Sequence, residues 1–162
     1  MSQITYSESE IIIRGKKAPP FILFSLTIIL AISAFIPLVA VGFRIFQGMG
    51  FHFGLILSFL IFWGIAIYIS RILLWNIYGK EILTLKKDKI VYIANYKIFK
   101  DGIREAQSSN LKIEFYEQPL PDKEIGFLII NPDNNSIECS NKITRNQYDE
   151  IINRIETRYN IK

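Results

Sequence analysis

The sequence predicts an α+β membrane protein: a two-helix transmembrane hairpin, then a β-sheet domain that ends in one helix. Three observations carry this. The stretches Ala18–Phe43 and Ile45–Ser70 contain no Asp, Glu, Lys or Arg, and only Arg44 separates them. Beyond Gly79 the apolar period becomes two, the period of a strand with one buried face. From Thr144 onward it lengthens to that of an amphipathic helix. A hydrocarbon core about 30 Å thick needs roughly 20 apolar helical residues, so each charge-free stretch can cross it. The 162 residues divide into a segment 1–17, a helical hairpin 18–78 with spans at about 20–46 and 53–78, and a domain 79–162.

Taken in order, Glu10-Ile11-Ile12-Ile13-Arg14 holds three β-branched residues and predicts a short strand, which can pair with an edge of the C-terminal sheet. Gly15 to Pro20 breaks it, and Pro19-Pro20 suits a helix start. Pro37 falls inside the first span, where it frees a carbonyl and bends the helix; a static bend is the ordinary outcome and a hinge the alternative. A signal peptide cut near Ala31, Ser33 and Ala34 is the rival for this span, but the apolar run continues to Phe43, beyond the 7–15 residues of a signal core. Gln47 to His52 makes a tight outer turn. In the second span Gly54/Ser58 and Ala66/Ser70 have the small-xxx-small spacing that lets helices approach, within the hairpin or in a homo-oligomer. Trp75 and Tyr78 fall where an interfacial aromatic belt belongs.

In the C-terminal domain, Glu81–Leu85 and Ile90–Ala94 read as strands around the turn Lys86–Lys89. Asp101-Gly102 is a hairpin signal, with a weaker strand from Ile103 to Ser108. Leu111, Ile113 and Phe115 mark the next strand, stopped by Pro119 and Pro121. Ile125–Ile130 and Ser136–Ser140 flank the turn Asn131–Asn135. Thr144 and Gln147 form a capping box, Ile143 and Tyr148 a hydrophobic staple, and Tyr148, Ile151, Ile152, Ile155 and Tyr159 an apolar stripe.

Charge sets topology and narrows function. From Gly79 to Lys162 there are 14 Lys/Arg against 13 Asp/Glu, so the domain is nearly neutral and the sequence gives nucleic acid no basic surface. Arg14, Lys16 and Lys17 precede the charge-free stretches, and Arg71, Lys80, Lys86, Lys87 and Lys89 follow them, against Arg44 and His52 around the loop between the spans. The positive-inside rule then puts both termini in the cytoplasm of a multi-pass cytoplasmic (inner) membrane protein. A single Cys139, with no intramolecular disulfide partner, agrees with a reducing compartment.

Tyr78-Gly79-Lys80-Glu81-Ile82-Leu83-Thr84-Leu85, the hairpin Ile129–Cys139 and the closing helix Thr144–Tyr159 together resemble the bacterial pleckstrin-homology-like (PH-like) domain proteins that carry a two-helix membrane hairpin. The resemblance implies a strongly bent, seven-stranded, partly open barrel capped by the helix. It also implies binding or assembly roles and a bacterial source. In phosphoinositide-binding PH domains, basic residues of the corresponding first loop grip the head group, which makes Lys86, Lys87 and Lys89 candidate anionic-lipid contacts; a solvated turn is the alternative.

No catalytic constellation is expected. His52 is the only histidine, so neither a His-rich metal site nor a Ser-His-Asp relay can form within one chain. Cys139 reads as a small core residue. Glu114, Glu117, Asp122 and Glu124 match no metal-loop spacing and read as an exposed rim, so no cofactor is expected. The charge-free runs argue against ion transport by this chain alone. The expected function is a non-enzymatic, membrane-anchored module that binds a protein partner. The alternatives are an accessory subunit contacting a membrane enzyme or transporter through the hairpin, and an anionic-lipid sensor.

Overall fold

Two segments that flank the helices in sequence lie side by side in one sheet. In a computed structural model that describes residues 3–48, 50, 53–118, 124–131 and 136–160, strands β1 (Ile4–Tyr6) and β2 (Glu10–Arg14) form a hairpin. β2 then pairs antiparallel with β3 (Lys80–Leu85), from Glu10 opposite Thr84 to Arg14 opposite Lys80. Contacts accordingly divide the chain into a β unit, Met1–Lys16 with Tyr78–Lys162, and a helical unit, Lys17–Ile77. The expectations placed on His52, Pro119, Pro121, Asp122 and the turn residues 132–135 fall outside the described residues.

The helical unit is α1 (Pro20–Phe46) and α2 (Phe53–Tyr78). α1 starts on Pro20, passes through the buried Pro37, and ends with Arg44 in its last turn, where a cation favours the helix dipole. Thr27, Ser58, Ser70 and Asn76 each donate to a carbonyl one turn back in their own helix, so these polar groups need no solvent. Ser33 and Pro37 on α1 and Leu55, Ala66 and Ile69 on α2 are the buried residues. Of the four small residues singled out for packing, Ala66 is buried, Ser58 and Ser70 are half-buried and Gly54 is exposed. Most large apolar side chains point outward, from Phe21 at 77% exposure to Ile67 at 67%.

In the β unit β3 continues into β4 (Lys89–Asn95) and β5 (Lys100–Gln107) in the order β1-β2-β3-β4-β5. A 3-10 turn, Ser108–Asn110, leads to the second sheet, in which β7 (Ile125–Ile130) pairs with β6 (Ile113–Glu117), β8 (Ile137–Glu138) and β9 (Ile143–Thr144). These sheets are not closed into a barrel, which corrects the barrel implied by the PH-like resemblance. The physical reason is on both flanks: β2 occupies the open edge of β3, and among the described residues no ladder joins β5 to β6.

The hairpin expected at Asp101-Gly102 is also corrected. The chain reverses at Tyr96–Phe99, where Lys97 takes φ 77° and its N–H donates to Asn95 Oδ1 at 2.8 Å. Gly102, at φ 60°, instead lies within β5 at a register shift opposite Tyr92–Ala94, the left-handed position of a glycine bulge.

α3 (Arg145–Tyr159) carries both halves of the capping box: Thr144 Oγ1 accepts from Gln147 N, and Gln147 Oε1 accepts from Thr144 N at 3.0 Å. Its Ile151 and Ile155 are buried, as are Ile11, Ile13, Leu83, Leu85 and Ile90 of the first sheet and Leu128, Ile130, Ile137 and Ile143 of the second, each at most 2% exposed. At about 1.5–3 kcal/mol per buried large aliphatic side chain, Ile11 and Ile13 alone contribute several kcal/mol.

Candidate functional site

The register orients the first sheet. Arg14, Lys80, Asn95 and Lys100 are successive cross-strand neighbours at the end where the chain leaves for α1 and returns from α2. At the other end, about 17 Å away along β3, lie the β1–β2 turn, the β3–β4 turn and the C-terminal half of α3.

That remote end holds an open groove of about 770 Å³ lined by Tyr6, Glu8, Leu85, Glu150, Asn153, Arg154, Thr157 and Arg158. Its floor is fixed by polar contacts. The Tyr6 hydroxyl donates to Glu150 Oε2 at 3.0 Å, while Arg154 donates to the Ser7 carbonyl and lies 5.5 Å over the Tyr6 ring. Burial, then the Glu150 hydrogen bond and charge, push the Tyr6 phenol well up against the opposing Arg154, so it remains a neutral donor. The Tyr159 hydroxyl lies 2.7 and 3.0 Å from the Lys86 and Lys89 carbonyls and pins α3 to the β3–β4 turn. Glu8 and Arg158 are exposed at the rim, so the groove offers both signs of charge beside a small apolar patch at Leu85. Such a surface can hold an extended polar segment.

Lys86 and Lys87 are exposed at this same end. Lys89 pairs with Glu105 at 2.8 Å, and that hydrogen bond raises its pKa. The three lysines therefore sit in one turn, at the end of β3 away from Tyr78. Glu114, Glu117 and Glu124 are exposed, and among the described residues no group of three or more His, Cys, Asp or Glu could hold a metal.

At the attachment end is a group that sequence reasoning missed. Glu81 is fully buried, accepting from the Tyr92 hydroxyl at 2.8 Å, Ser140 N at 2.6 Å and Asn141 N at 3.1 Å. Burial raises its pKa, and the three donors offset part of that rise. Asn141 in turn donates to the Ile13 carbonyl, and a Cβ on Gly15 would come within 2.5 Å of Asn141 Oδ1. One carboxylate thus ties β3 to the β8–β9 connection and, through Asn141, to the end of β2. The signal was present: Glu81, Leu83 and Leu85 share one face of β3, so the alternation alone places a carboxylate inward. Cys139, 1% exposed beside it, has its thiol pushed well up by burial and by the Glu81 charge, which disfavours the nucleophilic thiolate.

No family model matches the chain, and neither does any curated protein or solved structure.

Proposed function

We propose that this chain is a two-span protein of the cytoplasmic membrane that displays a PH-like β module on the cytoplasmic side, where the module binds a protein partner. The observation that carries the reading is the β2–β3 ladder. It holds Arg14 and Lys80, where the chain leaves the sheet for the helices and rejoins it, about 5 Å apart. Both flanks must then lie on one side of a bilayer, which an even number of crossings satisfies. Support for lipid as the surroundings of α1 and α2 comes from their outward Phe, Ile and Leu, an apolar surface larger than soluble monomers leave in water. The basic residues Arg14, Lys16, Lys17 and Lys80 favour the cytoplasm for that side. Tethering raises the effective concentration of the groove near membrane-bound partners. The strands-then-helix order is that of a PH-like domain, with the β1–β2 hairpin as an addition.

A second reading, an accessory subunit that docks through its helices, is favoured by the same outward apolar faces. Affinity purification from solubilised membranes with quantitative mass spectrometry separates the two. The baits are the full chain, the full chain with Asn153→Arg and Arg158→Glu, and a chain whose residues 20–78 are replaced by an unrelated two-span hairpin. A partner kept by the helix swap and reduced at least about tenfold by the groove substitutions is the expected result. A partner that follows the native helices and ignores the groove overturns this proposal in favour of the second reading.

A further inference from the structure

The β4–β5 turn stands out at the attachment end. Among the described residues of the β unit beyond Tyr78, Ile98 is the most exposed large apolar side chain at 75%, and its neighbour Phe99 is 38% exposed. The turn is stiff. Tyr96 N donates to the Phe99 carbonyl at 3.0 Å, Asn95 Oδ1 takes the Lys97 N–H, and the Tyr96 and Phe99 rings stack 4.4 Å apart. A turn held this firmly with an isoleucine at its tip is preorganised to present that side chain outward.

Its position is fixed by register and by one contact. Asn95 pairs with Lys80, so the turn extends past the row Arg14-Lys80-Asn95-Lys100, on the side where α2 delivers the chain. Lys97 Nζ lies 4.3 Å over the ring of Tyr78, the last residue of α2. A tyrosine that ends an apolar span belongs at headgroup depth, and the contact with Lys97 brings the turn to the same level. Lys80, Lys97 and Lys100, with Arg14, supply the charge that complements anionic headgroups. The combination of an apolar tip between lysines is that of an interfacial anchor.

We propose that the Tyr96–Lys100 turn is a third membrane contact, with Ile98 and Phe99 entering the headgroup–acyl boundary of an anionic bilayer and Lys97 and Lys100 lying against its phosphates. The inference rests on the two-span reading above and adds an orientation to it: the attachment end faces lipid, and the groove and the Lys86–Lys89 turn face the cytoplasm.

The test uses the full chain in vesicles of phosphatidylglycerol and phosphatidylcholine, with an environment-sensitive fluorophore at Ile98→Cys, at Lys87→Cys or at Phe35→Cys. Ile98 and Lys87 are exposed, so both labels are tolerated, and Cys139 is buried and stays unlabelled while the β unit is folded. The expected result is a blue-shifted label at position 98, quenched by nitroxide placed near the headgroups. The label at 87 should emit as in water, and the label at 35 should be quenched by nitroxide at the acyl ends. Replacing phosphatidylglycerol with phosphatidylcholine, or changing Lys97 and Lys100 to Gln, should reduce quenching at 98 at least about twofold. A label at 98 that emits like the one at 87, while 35 is quenched, overturns this proposal and leaves the two-span reading standing. A label at 35 that is not quenched overturns both.

Discussion

A carboxylate on the inward face of a strand is a choice the chain must offset, because moving an ionised group out of water costs several kcal/mol. Glu81 offsets it with a phenol and two backbone N–H groups, yet burial still leaves its pKa raised. In the unfolded chain a glutamate titrates near 4.3. Between that pH and the raised folded value, the folded chain binds more protons than the unfolded one, so stability falls as pH rises. The contribution of Glu81 is therefore complete below the unfolded pKa and is lost as pH climbs through the folded one. Glu81→Gln, which cannot titrate and loses one acceptor, should be less stable than the native chain, with the gap narrowing as pH rises across that window. Urea titration of the full chain in detergent, read by the rate at which a thiol reagent reaches Cys139, measures this at each pH. Glu81→Ala, which strands three donors, should cost about 2–4 kcal/mol in the same assay. A gap that widens with pH would contradict the assignment. The inward carboxylate was legible from the alternation Glu81-Leu83-Leu85. Its partners were not, since Ser140 and Asn141 arrive from 59 and 60 residues away, a separation no local pattern records.

At the scale of elements, what depended on neighbours in sequence was legible, and of the distant pairings only the placing of the Glu10–Arg14 strand at an edge of the C-terminal sheet was. The capping box of Thr144 and Gln147 and the stripe that follows it are local, and α3 carries them out. Asp101-Gly102 looked like a turn because it is the dipeptide that type I′ turns favour, but the same positive φ suits a bulge, and the ladder with β4 made it one. The main non-local fact is that β1–β2 completes the sheet begun by β3. Ile11 and Ile13 are wholly buried, and losing them removes several kcal/mol from a fold whose total stability is about 5–15 kcal/mol. Residues 79–162 expressed alone should lack cooperative unfolding. Deleting residues 16–78 should restore it, because Arg14 and Lys80 already face each other and Gly15-Gly79 then makes a two-residue loop between them. Dispersed amide resonances and a sharp urea transition for the fused chain, against neither for 79–162, are the expected pair of results. A cooperative 79–162 would show that the hairpin is dispensable.

For the whole molecule, the proposed placement follows from chain parity and solvent preference. Two helices with outward Phe, Ile and Leu interrupt a sheet in which the strands before and after them, β2 and β3, are neighbours. The apolar runs could be read directly, because twenty residues without charge is a property of the local sequence. The two-sheet arrangement could not, since it depends on which strands share a ladder, and no local pattern records that. The account stands most directly on the lipid environment of α1 and α2. Alkaline carbonate extraction of membranes carrying the full chain measures it: the chain should remain with the lipid pellet, and its quantitative release into the supernatant would contradict the account.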